Sequence, residues 1–575
     1  MAFQLSPGVN VSEIDLTTIV PAVGTTEGAY VGRFQWGPIN EITTIGNEIE
    51  LVSTFGKPDA NTYLDFFTAA NFLAYARNLK LVRAANTSIA NNATSGSRNI
   101  LIKNNDDYVT NYLDLSANGL SGMFAARYAG ELGNSLKVSI YANTINTTTT
   151  AWNAATWSYA PEFDGPPSTS TYATNVNGKN DEMHVIVIDE DGAFSGRANT
   201  ILEKFSFLSK ASDAKNDDGS SNYYVNAIND RSQYIYILNK ALDANGDVDT
   251  LTWGSAAANV TFTQNSASYT SSLSGGQTGA VSDANRITAY DLFSNADEVD
   301  ISLVMTGAAN SSVVQHVIDN IALSRKDCVA FLSPAFSDVV NQSGLEANNA
   351  IDYRNSSIAR STSYAVMDSS WKYQFDKYNN VYRWVPCNGD VAGLCVRTDF
   401  ERDPWYSPAG FNRGQLKNVV KLSYNPDKAD RDELYKNGIN PIVTFRGEGT
   451  VLFGDKTLQA KPSAFDRINV RRLFIVLEKA IARAAKYSLF EFNDAFTRAQ
   501  FVALVEPFLR DVQGRRGIFD FRVVCDETNN TPEVIDRNEF VGDIYIKPAR
   551  SINFIQLNFI AVRTGVAFDE IVGRF

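Results

Sequence analysis

The sequence predicts a mixed α/β chain of several domains, on three observations. Its 575 residues suggest about three or four units, at roughly 150 residues per domain. Residues 299–334 run strand, helix, strand, as a parallel pair with a crossover helix does. The last third sets two long amphipathic helices ahead of strand-like runs parted by turn residues.

The chain opens with SPGVNVSEID, where Val9, Val11 and Glu13 alternate with Asn10, Ser12 and Ile14. That period of two marks one short strand on an arm. Threonines around Pro21 make residues 17–27 an extended linker. GAYVGRFQWGPINEITTI reads as strand, turn and strand. Residues 61–79 space Phe66, Ala69, Ala70, Leu73 and Ala76 as a helix does, and KLVRAA follows as a short strand. Three polar stretches (86–120, 142–181 and 241–283) read as loops or inserted structure. Between them MHVIVIDEDG is a strand with a solvated turn, and ANTILEKFSFLS (198–209) an amphipathic helix or helix end.

VDISLVMTG (299–307) and CVAFLSP (328–334) are buried strands flanking the helix SSVVQHVIDNIALSRKD. Residues 469–487 place Leu473, Val476, Leu477, Ala480, Ile481 and Ala484 on one helical stripe. A second helix starts at an N-cap, Asn493, and Pro507 should kink or end it. GIFDFRVVCDE, VGDIYIKPARS and INFIQLNFIAVRT are three closing strands.

Composition excludes several classes. A hydrophobic content of 44% with 20% charged residues is that of a globular protein. No run approaches the ~20 apolar residues of a membrane helix. The start, MAFQLSPGVNVSEID, lacks the basic and apolar regions of a signal peptide. The net charge of −13 argues against nucleic acid as a partner. It is unevenly placed: residues 1–374 hold 22 Lys and Arg against 38 Asp and Glu, and residues 375–575 hold 29 against 26. The final 201 residues could therefore face an acidic partner. The four cysteines, Cys328, Cys387, Cys395 and Cys525, include no CxxC, though Cys387 and Cys395 could be neighbours across a hairpin. With only His184 and His316, no zinc site of recognised spacing exists.

Three motifs suggest chemistry and fail on detail. LSGGQ (273–277) matches the signature pentapeptide of ABC-type ATPases, and GTVLFGDKT (449–457) comes within one residue of a P-loop. Asp455, inserted between Gly454 and Lys456, puts a carboxylate in the anion nest and shifts the lysine out of register. Neither histidine lies near a GxSxG-type nucleophile. The oxygen-rich runs DEDG and DAKNDDGSSNYY could hold calcium but lack DxDxDG spacing. No cofactor is expected.

RDPWYSPAGFNRG, GINPIVTFRGEGTVLFGDKTL, FDRINVRRLFIVLEKAI and IKPARSINFIQLNF follow one another through the last third. With LSPGVNVSEID, GRFQWGP and YAGELGNSLKV, they make the chain resemble, over nearly its whole length, the tail sheath proteins of contractile-tailed bacteriophages, of the long type. The resemblance implies an inner α/β domain built from an N-terminal arm (1–25) and residues 375–575, whose last strand arm is 551–575. A subtilisin-like α/β middle domain (26–90 and 281–374) and a β-rich outer insertion (91–280) lie between them. It implies a non-enzymatic virion subunit, made and assembled in the host cytoplasm. Such subunits polymerise with themselves as stacked rings around a tail tube protein, between baseplate and terminator proteins, and contract to drive the tube through the host envelope. Neither nucleic acid nor membrane insertion enters. The rivals are another self-assembling protein (surface-layer, capsid-like or tail-tube) and, third, a nucleotide hydrolase.

A subunit that slides past its neighbours without release is served by strands swapped on flexible arms. The candidates are Val9, Val11 and Ile14 in one arm, and Ile552, Phe554, Ile555, Leu557, Phe559, Ile560 and Val562 in the other. Asn553, Gln556, Asn558 and Arg563 interrupt the second and exclude a membrane as its cover. Arg498, Arg510, Arg515 and Arg516 are the candidate tube-facing groups.

Overall fold

The computed structural model describes residues 24–113, 122–142, 152–238, 252–265, 268–553 and 556. In chain order the strands are β1 (Gly28–Gly32), β2 (Thr43–Ile45), β3 (Leu79–Arg83), β4 (Phe124–Ala126), β5 (Leu136–Tyr141), β6 (Glu182–Asp189), β7 (Thr200–Ser209), β8 (Ile235–Ile237), β9 (Tyr269–Ser272), β10 (Leu303–Met305), β11 (Val329–Leu332), β12 (Ala365–Asp368), β13 (Trp371–Asp376), β14 (Val381–Pro386), β15 (Lys421–Leu422), β16 (Ile439–Asn440), β17 (Ile442–Phe445), β18 (Gly449–Leu452), β19 (Ile518–Val524) and β20 (Asp543–Pro548). The fold is mixed α/β with several separate sheets.

The largest sheet has seven strands in the order β16-β12-β11-β10-β1-β3-β2, parallel except for β2 against β3. β10 and β11 form the parallel pair that the sequence predicts, and every residue of β1 is buried, as continuous apolar runs in parallel sheets are. The connecting helix contains a π-helical stretch, Val317–Ala322.

The sheet does not stop at residue 375, where the charge division falls, because β16 extends its edge. The helix Asn388–Glu401 also packs against it through the helix Tyr63–Leu73. A Cβ on Gly389 would stand 2.5 Å from the Thr68 carbonyl, and one on Gly393 2.5 Å from the Tyr75 ring, so only glycine permits this approach. Cys387 precedes this helix and Cys395 lies inside it, so the expected hairpin relation is absent; all four cysteines are buried and free.

One buried carboxylate of this core is paired with arginines. Asp65 accepts from Tyr30 (2.7 Å), Arg33 (2.9 Å) and Arg286 (2.8 Å). Burial raises its carboxyl, but Arg286 and Arg33 prevail and hold it below the usual range.

Between β3 and β10 stands a separate antiparallel sheet, β7-β6-β5-β9, with the pair β4-β8 beside it. Here one expectation fails: residues 200–209 form strand β7, not a helix. Phe207 has φ +52° at an irregular stretch of the β6–β7 ladder. Its extra residue breaks the alternation and turns both Phe205 and Leu208 inward, three apart, which imitates a helical stripe. His184 sustains the bulge: its Nδ1 accepts from the Phe207 N–H at 3.1 Å while Nε2 bonds the Gly165 carbonyl at 2.8 Å. The DEDG turn is not solvated at its first residue. Asp189 is fully buried and accepts from Ser135, Gly192, Phe194 and Ser195.

Candidate functional site: the assembly surfaces

The C-terminal region is built on an antiparallel helix pair, Ile468–Ala485 and Ala495–Gly514. Leu473, Leu477 and Ile481 from the first helix meet Phe501, Val505, Leu509 and Val512 from the second. The hairpin β19–β20 lays Phe521, Val523, Ile544 and Ile546 over the same cluster. Pro507 does not end the second helix. The apolar stripe from Phe501 to Val512 spans it, and that burial outweighs the roughly 3 kcal/mol cost of an internal proline. The cap is Asp494, whose carboxylate accepts the Thr497 N–H at 2.8 Å; Asn493 instead donates to Asn530 and to the Glu539 carbonyl.

Two features mark this region as unfinished. Among the described residues the hairpin has only two strands, so each leaves an outer edge without a partner strand. Large apolar side chains also stand in solvent at the turn between the helices: Tyr487, Leu489, Phe490, Phe492 and Phe496 are all exposed, Phe492 by 84%.

Both chain ends leave from the start of the first helix. Thr25 donates to Asp399 at 2.7 Å, Asp399 pairs with Arg472 at 2.6 Å, and Arg472 reaches the Thr25 carbonyl. Burial pushes the Asp399 carboxyl up, with Arg472 opposing. Three residues earlier Asn469 donates to the Ala549 carbonyl, where the other end departs. That end is held by Asp455, which accepts from Ser551 at 2.7 Å and Asn553 at 3.1 Å. The residue that spoils the P-loop thus fastens the C-terminal exit. Lys456, by contrast, is turned to the Tyr435 carbonyl. Sequence reading missed Asp455; its one signal was a carboxylate placed where a phosphate cradle needs none.

LSGGQ lies between β9 and β10, where Leu273 is buried and Ser274 and Gln277 bridge Thr94 and Asn91. His316 faces Asp291 at 2.7 Å. Among the described residues no group of three or more His, Cys, Asp or Glu could hold a metal ion, and no helix is long and apolar enough to cross a membrane.

Three family models match: the phage tail sheath protein central domain over residues 297–458, the phage tail sheath C-terminal domain over 460–561, and the domain III N-terminal region of the tail sheath protein Gp18 over 28–84. The tail sheath protein of Vibrio phage KVP40 is 36% identical, over 99% of this chain and 100% of its own length. The chain belongs to the phage tail sheath protein family. The tail sheath protein of Enterobacteria phage T4 is 33% identical over 99% of both chains. Solved sheath structures share the fold: the sheath tail protein of Listeria innocua (11% identity, TM-score 0.51, covering 92% of this chain and 96% of its own) and the contracted helical sheath of the anti-feeding prophage (13%, TM-score 0.50, 97% and 99%).

Of the arm residues on this sheath chain, Ile552 is 82% exposed at the C-terminal exit. Val9, Val11, Ile14, Phe554, Ile555, Leu557, Phe559, Ile560 and Val562 lie outside the described residues. The four arginines are not equivalent. Arg498 is buried and donates back to the Asn493 side chain just ahead of its own helix. Arg515 pairs with Asp403 and lies over the Trp405 ring. Arg510 is exposed beside Glu506, and Arg516 is exposed without an acidic partner among the described residues.

Proposed function

We propose that this chain is the structural subunit of a contractile phage tail sheath. Copies polymerise as stacked rings around a tail tube, between baseplate and terminator proteins, and contraction drives the tube through the host envelope. The observation that carries this reading is identity of 36% and 33% to tail sheath proteins along 99% of the chain. Energy is stored in subunit packing during assembly, so the role is structural and needs no nucleotide.

In this reading the open edges of β19 and β20 receive strands from the arms of other copies, residues 8–15 and 552–564. Backbone ladders hold while the linkers flex. The inner domain comprises the N-terminal arm and the C-terminal region. Because β16 belongs to the large sheet, that region starts near the junction of the two family models, at 458–460, rather than at 375. The β-rich segment between β3 and β10 is the outer insertion. The tube-facing role falls to Arg510, since Arg498 and Arg515 are engaged within the subunit and Arg516 lines a groove beside Trp405.

Negative-stain microscopy of the purified protein tests this directly. Hollow, helically striated cylinders are expected; an unassembled monomer that hydrolyses ATP would overturn the reading.

A further inference from the structure

The helix pair carries an apolar knob at one end and a groove at the other. The knob is the turn from Tyr487 to Phe496, where Phe490 is fully exposed with φ +70° and Phe492 stands beside it. Its charged groups are Glu491 and Asp494, and it contains no cation. Glu491 has no side-chain partner among the described residues.

The groove, about 1150 Å³, lies at the opposite end of both helices, where Asn469 and Arg516 line it. Trp405, Phe411, Phe453 and Phe519 supply apolar wall, with Phe411 and Phe453 more than two-fifths exposed. Lys428, Arg516 and Arg550 stand on its rim without acidic partners among the described residues.

From these observations we infer that the 487–496 knob of one copy seats in the groove of a second copy, resting on the sheath reading above. Shape and charge agree: an acidic aromatic knob faces a cationic aromatic groove. One molecule cannot satisfy itself, because an 18-residue helix separates the two ends by about 27 Å, at 1.5 Å per residue. A contact between unlike surfaces is heterologous, so it propagates into rings or helical filaments. It adjoins the strand exchange, since Ile552 at the start of the arm also lines the groove, and adds a side-chain lock to the backbone ladders.

The test pairs Phe490→Cys with Phe411→Cys in the full chain, where the native cysteines are buried. Oxidation should give a reducible ladder of dimers and higher multimers that weakens as salt rises. The double substitution Phe490→Glu, Phe492→Glu should raise the critical concentration for assembly at least tenfold while circular dichroism stays unchanged. Striated cylinders without a ladder would overturn the knob contact and leave the sheath reading standing. A wild-type chain that forms no cylinders, together with a double-cysteine variant that forms no ladder, would overturn both. A monomeric cross-link between Phe411→Cys and Phe554→Cys, without the ladder, would assign the groove to the chain's own C-terminal arm and so also overturn it.

Discussion

The seven-stranded sheet and the C-terminal helix pair contain similar residues and treat them in opposite ways. In the sheet every strand of the interior has two neighbours, and the buried Asp65 carboxylate in its core has three donor residues. In the C-terminal region, among the described residues, a two-stranded hairpin leaves both edges open, and five large apolar side chains face solvent at the turn between the helices alone. The first is complete as a monomer. In the proposed reading the second is completed by other copies. A subunit that must hold its shape while its neighbours move needs both kinds of region, and this chain keeps them apart.

The sharpest way to break the contrast is to remove the arms. Deleting residues 1–15 or 554–575, which keeps the Ser551 and Asn553 bonds to Asp455, should abolish polymerisation while the monomer's thermal unfolding stays within about 0.5 kcal/mol of wild type, read by sedimentation and calorimetry. Next comes the sealed core. Asp65→Ala leaves Arg286 buried without its counter-ion and should cost about 3–5 kcal/mol in urea denaturation. The folded Asp65 carboxyl sits below its unfolded value, so its contribution is full at neutral pH. It is lost as pH falls below about 4 and through the folded value.

The insertion should respond on its own. Asp189→Ala strips an acceptor from four donors and should cost about 1–3 kcal/mol, seen as faster proteolysis of the β6–β7 turn with assembly retained. His184, held neutral by burial, adds a milder pH effect. Its share is full above about pH 6.5 and declines as pH drops through the lowered folded value. The smallest effect belongs to the tube face. Arg510→Glu should weaken tube-templated assembly by less than about 1 kcal/mol, an effect that salt erases.

Much of this was legible from periodicity. The βαβ passage, the helix through Leu473 and Ile481, and the β19 and β20 runs all announce themselves, since burial on one face imposes the spacing. What misled was local geometry that copies another pattern. The bulge at Phe207 gave a strand the inward spacing of a helix, and tertiary burial carried a helix through Pro507 where propensity alone would stop it. The exits at Asp399–Arg472 and Asp455 were invisible because each joins residues far apart in sequence. Arg498 and Arg515 read as surface cations because a sequence does not show which guanidinium folds back on its own helix.

The central claim is that the C-terminal region is finished by other copies of the chain. Hydrogen–deuterium exchange on monomer and polymer tests it most directly. The account predicts that outward-facing amides of β19 and β20 exchange freely in the monomer and become protected in the polymer, while β1 and β10 are protected in both. Equal protection of the hairpin edges before and after assembly would contradict it.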